Sequence, residues 1–198
     1  KYSAKKSSYK VIVDPNVNEV RPFTACCVVK NLKLDDERIR EIIQIQEKLH
    51  VTYGRNRQKV AIGVYPMEKI KWPIKYESRK PKNIFFKALG SRFAMNGKDI
   101  LSKNPIGIQY GYLLENYKRY PIFVDAENKI LSMPPVINSE DTGKIDVKTR
   151  DIFVEVSGFN FNALSICLNI IATALSDMNG EVYEVSIKYG SKVLSTPD

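Results

Sequence analysis

The 198 residues contain a single histidine, His50. A Ser-His-Asp or Cys-His arrangement would have to be assembled around that one imidazole. His50 falls at the end of a predicted helix, where a capping or packing role suits its polar tip better than catalysis. Cysteine is also scarce: Cys26, Cys27 and Cys167, an odd count with no CxxC spacing for zinc. Adjacent Cys26 and Cys27 point to opposite sides of a strand, so buried, reduced thiols of a cytoplasmic protein are expected. No run of eighteen apolar residues occurs, which excludes a membrane-spanning helix, and no basic start leads into an apolar signal segment. The phosphate-cradling patterns GxxxxGK[ST] and GxGxxG are missing, and so are zinc and calcium ligand sets. Any hydrolysis would therefore use positioned water, backbone dipoles or the substrate's own groups. The chain begins on Lys1 rather than Met and ends on Thr196-Pro197-Asp198, which reads as a piece cut from a longer protein.

Positive charge is in surplus. Lysine and arginine number 31 against 22 acidic residues, a formal +9 that favours a polyanionic partner through long-range attraction. A solubility charge is the alternative, and charge alone does not choose between them. Hydrophobic residues make up 43%, enough for one sizeable core at this length.

The segment from Lys1 to Ser8 is polar and basic, and is expected to be a disordered linker remnant ahead of one domain spanning 9–198. Tyr9 to Val13 and Phe23 to Lys30 read as strands. A helix follows, with Asp35 or Asp36 as its N-cap and Ile39, Ile42, Ile43, Gln46 and Leu49 as its stripe. Gly54 is expected to end it in a left-handed conformation. Val60 to Val64 reads as an apolar strand. The stretch from Pro66 to Gly90 mixes proline, lysine and aromatics, and predicts irregular loops with short strands. A short helix begins at Asn96, Pro105 interrupts it, and a second carries Ile108, Leu113 and Leu114. Tyr120–Asp125 and Lys129–Met133 form a hairpin, Asn138–Lys144 a polar loop and Asp151–Ser157 a strand. A long helix runs from near Asn160 to Gly180, with Phe161, Leu164, Leu168, Ile171 and Leu175 on its buried side. Glu181–Tyr189 alternates as the final strand. Strands outnumber helices without alternating with them, so the fold class is α+β in a single domain.

Three segments carry chemistry together. They are Leu49–Arg57 leading into Val60–Gly63, then Tyr120–Asp125, then Ile130-Leu131-Ser132-Met133-Pro134-Pro135-Val136-Ile137-Asn138-Ser139-Glu140-Asp141-Thr142-Gly143. In this order they resemble the beta subunit of archaeal and eukaryotic phenylalanine–tRNA ligases, in the editing region built from its third and fourth B modules. The resemblance runs from about Tyr9 to Pro197. It implies a central β-sandwich of mixed and antiparallel sheets flanked by helices. It also implies hydrolysis of tyrosine wrongly attached to tRNA(Phe), with no protein nucleophile. The implied partners are the 3′ end of tRNA(Phe) and, through the rest of the beta chain, the alpha subunit. ATP and magnesium belong to the synthetic site of the parent ligase; none is implied for this segment, nor any metal.

Strand alternation independently puts Ile152, Val154 and Val156 on one face of a strand and Phe153, Glu155 and Ser157 on the other. The second face is either solvent-exposed or a pocket wall, with Glu155 accepting a phenol proton and Phe153 beside the ring. Positions that recognise tyrosine in archaeal relatives fall on Phe123, Ser132, Glu155 and Ser157. Only Ser132 matches them; leucine, aspartate and threonine are expected at the other three. Ile108 and Tyr112 stand where relatives usually carry arginine and histidine. Arg55 and Arg57 are the candidates for tRNA phosphates, or else a solvated basic turn. Asn138, Ser139, Thr142 and Gly143 line the pocket mouth, or form a turn with only local hydrogen bonds.

Overall fold

The computed structural model describes residues 2–197. Its elements in chain order are β1 (Lys10–Val13), β2 (Phe23–Lys30), α1 (Asp36–Val51), β3 (Val60–Pro66), β4 (Ile74–Arg79), β5 (Phe85–Phe86) and β6 (Met95–Asn96). There follow α2 (Gly97–Lys103), α3 (Pro105–Tyr110), β7 (Tyr120–Val124), β8 (Ile130–Met133) and β9 (Ile137–Asn138). The chain closes with β10 (Ile152–Gly158), α4 (Phe161–Asp177), β11 (Glu181–Tyr189) and β12 (Lys192–Thr196). The α+β class is as read from the sequence.

Ten strands join in one sheet of order β3-β10-β2-β11-β1-β4-β7-β8-β9, with β12 also on β11, while β5 and β6 pair separately. The joint is β11. Its first half pairs antiparallel with β2; from Val185 onward it pairs antiparallel with β12, and from Ser186 parallel with β1. Changing partners partway along one strand bends the sheet, and the two ends of the order come back together. Tyr65 of β3 reaches Ser132 of β8 at 2.7 Å, and Arg57 just before β3 donates to the Val136 carbonyl beside β9 at 2.8 Å. The expected sandwich is thus one sheet curled on itself, nearly closed at the β3/β8–β9 seam.

The curl creates two cores. Ala25, Cys27, Val29, Ile62, Val64, Ile152, Val154 and Val156 face outward under α4, against Leu164, Leu168, Ile171 and Leu175. Cys26, Val28, Tyr65, Tyr76, Phe123, Leu131, Phe153 and Ile187 fill the interior. Both faces of β10 are therefore buried, which removes the solvent-exposed alternative for Phe153, Glu155 and Ser157. The cysteines are free and buried, with Cys26 and Cys27 in opposite cores. A third cluster under α2 and α3 holds Ile84, Ile100, Leu114, Ile122 and Met133.

Several local expectations change. The segment 2–8 is laid along β11: the Lys5 N–H bonds the Val182 carbonyl, the Glu184 N–H bonds the Lys5 carbonyl, and Tyr2 reaches Asn169 at 2.7 Å. Its backbone completes a ladder that its polar composition conceals. Gly54 is not left-handed. That conformation falls on Arg55, Asn56 and Arg57, at φ 50°, 53° and 68°. Gly54 is needed instead because a Cβ there would press on the Val60 and His50 carbonyls. Asn104 caps α3, accepting from the Ile106 and Gly107 amides, so the interruption at Pro105 is a clean restart.

Candidate functional site

Strand β3 is an edge, and α1 covers it with two side chains one turn apart. Gln46 donates to the Ile62 carbonyl at 2.9 Å, while His50 Nε2 accepts from the Ile62 amide at 2.8 Å. That bond places the imidazole proton on Nδ1, which faces Glu47 Oε1 at 3.2 Å. His50 is buried, and burial pulls its pKa down. With both nitrogens engaged it is a structural clamp, as its position at the helix end suggested.

Beside this edge, at the seam of the curled sheet, lies a cavity of about 640 Å³. Ile39, Ile43 and His50 of α1 form one wall, and Ala61, Ile62 and Val64 of β3 another. Pro134 to Asn138 and Gly143 to Ile145 face them, with Leu89, Gly90 and Ile106 at one end. The lining is mostly apolar; Ser132, Asn138 and Glu155 are among its polar groups, and Glu47, Arg57, Glu140 and Lys144 add charge. That composition is typical of small-molecule sites.

Glu155 is the most unusual of these groups. It is 2% exposed, and β10 holds it between Gly63 of β3 and Cys26 of β2. Its Oε1 lies 2.9 Å from Tyr65 Oη, whereas its Oε2 is buried with no hydrogen-bond partner among the described residues. Burial pushes the carboxyl up to about 8, against smaller downward pulls from Tyr65 and Arg21. At neutral pH the group is mostly a neutral acid, able either to donate or to accept. An orphaned polar atom in a cavity wall costs free energy until a ligand or water completes it.

Tyr65 was not singled out from the sequence, and it holds the centre of the site. Its Oη also lies 2.7 Å from Ser132 Oγ and 3.5 Å from Asn138 Oδ1. Its ring stacks on Phe153, with centroids 5.7 Å apart. The only signal was a glycine inside an apolar strand, which marks a close approach. Gly63 stands two residues before Tyr65 on the same face, and a Cβ there would run into both Tyr65 Oη and Glu155 Oε1. Gly63→Ala is therefore expected to destabilise the fold by roughly 1–3 kcal/mol. A urea denaturation midpoint equal to wild type would contradict that.

The sequence-derived candidates divide cleanly. Ser132, Glu155, Asn138, Gly143 and Arg57 border the cavity. Phe123 does not: it is fully buried in the interior, stacked on Tyr76 at 4.3 Å. Phe153 lies behind the cavity, between Tyr65 and Trp72. Ser157 is turned to Arg21, whose Nε donates to its Oγ at 3.0 Å. Ser139 and Thr142 are buried behind the rim: Ser139 Oγ accepts from the Asp141 amide, and Thr142 reaches the Ile130 and Leu131 carbonyls at 3.4 Å. Only the Ser139 contact is local to the turn; Thr142 ties the loop back to β8. Arg55 is exposed, but Arg57 is not a solvated turn residue. It stacks over Tyr110 at 4.0 Å, donates to Val136 and pairs with Glu47, so its guanidinium ties α1 to the far side of the seam. Ile108 and Tyr112 are exposed and lie off the cavity.

No family model matches the chain. Individual proteins do. The phenylalanine–tRNA ligase beta subunit of Thermococcus onnurineus is 39% identical over all 198 residues, and that of Pyrococcus furiosus 40%. The subunit of Methanosphaera stadtmanae is 39% identical over 188 residues. The chain spans only 34–35% of those subunits' lengths, about a third. The crystal structure of an N-terminal fragment of the phenylalanyl-tRNA synthetase beta subunit from Pyrococcus horikoshii superposes with a TM-score of 0.97. That fragment is 37% identical, and the match covers all of this chain and 57% of the fragment. In sequence and in fold, this chain matches one segment of the beta subunit of phenylalanine–tRNA ligases along its entire length, as its motifs indicated.

Proposed function

We propose that the cavity is a post-transfer editing site, which binds the aminoacylated 3′ end of tRNA(Phe) and hydrolyses a wrongly attached tyrosine. Tyrosine is phenylalanine plus one hydroxyl, and an apolar synthetic pocket rejects an added hydroxyl only modestly. A second site that hydrogen-bonds the phenol reverses the preference, because a phenylalanyl ring would leave its polar group unpaired. The observation that carries this reading is Glu155 Oε2, buried and unpartnered, on a residue that lines a mostly apolar cavity. Ile39, Ile62, Val64 and Ile106 supply the slot for a ring. His50 is engaged on both nitrogens, and among the described residues lining the cavity no nucleophile is hydrogen-bonded to an imidazole base; in this reading a bound water cleaves the ester. The surplus of positive charge attracts the tRNA, and the rest of a beta chain would connect this segment to the alpha subunit.

The alternative is an RNA-binding module of the ligase that does not edit. One observation favours it: the chain's own Tyr65 phenol already occupies Glu155 Oε1. Deacylation of tyrosyl-tRNA(Phe) and phenylalanyl-tRNA(Phe) by the intact protein carrying this chain decides between them. Wild type is expected to remove tyrosine selectively, and Glu155→Ala to lower that selectivity by about a hundredfold. If wild type spares both esters while still binding tRNA, the module reading replaces the editing one.

A further inference from the structure

We propose that Tyr65 is a specificity-determining positioning residue of this site: its phenol pins one carboxyl oxygen of Glu155 and the hydroxyl of Ser132, leaving a single oxygen to read the ligand. The inference rests on the editing reading above and adds the residue that sets its discrimination.

A glutamate side chain has three rotatable bonds, and in a roomy cavity its carboxyl would sample several directions. Here it cannot. Oε1 is held at 2.9 Å by Tyr65 Oη, which is itself 2.7 Å from Ser132 Oγ. The three groups come from β10, β3 and β8, so the contact spans both ends of the curled sheet. Stacking on Phe153 fixes the Tyr65 ring, and Gly63 leaves the room that its hydroxyl and the carboxyl share. Of these three groups' polar atoms only Glu155 Oε2 is buried without a partner among the described residues, and Glu155 lines the cavity.

Two consequences follow for recognition. Ser132 Oγ lies 2.7 Å from Tyr65 Oη, so its hydroxyl steadies the phenol that holds Glu155. It acts through Tyr65. Second, a pinned carboxyl cannot swing away or recruit a second water when a ring without a hydroxyl enters. The unpaired oxygen then opposes that ligand in full, which is the origin of discrimination. A loose carboxyl would relax and accept either ring. Because Glu155 is mostly protonated at neutral pH, Oε2 can donate to or accept from a ligand phenol, and a phenol satisfies either arrangement.

The test is equilibrium binding of two non-hydrolysable probes, 3′-tyrosylamino- and 3′-phenylalanylamino-3′-deoxyadenosine, to the intact protein carrying this chain. Wild type is compared with Tyr65→Phe, which keeps the ring and removes only the hydroxyl. The tyrosyl-over-phenylalanyl preference is expected to fall about tenfold. Affinity for the phenylalanyl probe should stay equal or rise. An unchanged preference, or equal losses for both probes, would overturn the proposal, the second pattern marking a merely structural tyrosine. If Tyr65→Phe does not fold, Ser132→Ala gives the second reading: it loosens Tyr65 and should lower the preference in the same direction, and no change would sink the idea. A wild type without any preference defeats the editing reading itself, and this inference with it. A wild type that discriminates beside an equally discriminating Tyr65→Phe defeats this inference alone.

Discussion

Glu155→Gln is expected to stabilise the protein at alkaline pH and to leave it unchanged near pH 4. In the unfolded chain the carboxyl titrates near its ordinary value of 4.5, whereas in the folded protein burial holds it at about 8. Below 4.5 both states carry the proton, and the folded state keeps its full stability relative to a neutral side chain. As pH rises from 4.5 to 8, the unfolded chain releases a proton that the native state retains. Stability is lost progressively and the loss is complete above the folded pKa. A shift of that size corresponds to a penalty on the order of 4 kcal/mol at pH 8.5. Glutamine keeps the shape and the acceptor for Tyr65 Oη but has no proton to lose. Thermal denaturation of both proteins at pH 4, 6 and 8.5 should show midpoints that coincide at the acid end and separate as pH rises. A difference independent of pH would show that Glu155 is not held neutral. The same comparison reaches the function, because a residue kept for stability would not be a buried acid with an unpartnered oxygen.

Arg21→Ala should be among the most damaging single changes in the chain. Arg21 is 2% exposed and forms no salt bridge among the described residues, although its charge is near enough to Glu155 to pull that carboxyl's pKa down. Its guanidinium is satisfied by oxygens alone: Ser157 Oγ at 3.0 Å, the Ser157 carbonyl at 2.7 Å, and the Gln58 and Arg57 carbonyls at 3.3 Å. Two of those carbonyls belong to or adjoin the left-handed turn Arg55–Arg57, whose non-glycine residues pay a conformational cost there. Arg21 therefore braces the turn that launches β3 and, through Ser157, the strand that carries Glu155. Truncation removes the donor to the buried Ser157 and to the half-buried Arg57 and Gln58 carbonyls and leaves a cavity, which together cost about 3–5 kcal/mol. For a domain of this size that lowers the thermal midpoint by roughly 10 °C. Arg21→Lys should recover only part of the loss, since one ammonium cannot reach all four oxygens. Full stability in the lysine variant would show that charge, rather than the fork of donors, is what the site requires.

Much of the fold was legible because it is local. Strands β2, β3, β10 and β11 show in their runs of β-branched residues, α1 and α4 in stripes of period near four, and caps such as Asp35 and Asn160 mark where helices start. What was missed lacks a local signal. β4 (Ile74–Arg79) carries lysine, glutamate and arginine on its outer face, β9 has two residues, and β12 follows a turn at Gly190 with alternation too weak to separate it from a tail. The segment 2–8 has no apolar pattern at all, and its order comes from hydrogen bonds to β11.

The site divides on the same line. Alternation along β10 put Glu155 on one face with Phe153 and Ser157, and the motif from Ile130 to Gly143 placed Ser132 and Asn138 near it. Alternation cannot say what the opposite face meets, and here that face looks into the interior of a sheet closed by contacts between residues far apart in sequence. Tyr65 and Ser132 are 67 positions apart, and Tyr65 and Glu155 are 90. The sequence by itself determined strands β1, β2, β3, β7, β8, β10 and β11, the helices, the family resemblance and the grouping of Glu155 with Phe153 and Ser157 on one strand face. Only the tertiary structure decided that the acid would be buried, that Tyr65 would hold one of its oxygens and that Phe123 and Ser157 would lie off the cavity. The physical reason is that pattern reports the solvation of each element's faces, whereas desolvation and pairing of a polar group depend on which distant residues the closing sheet brings against it.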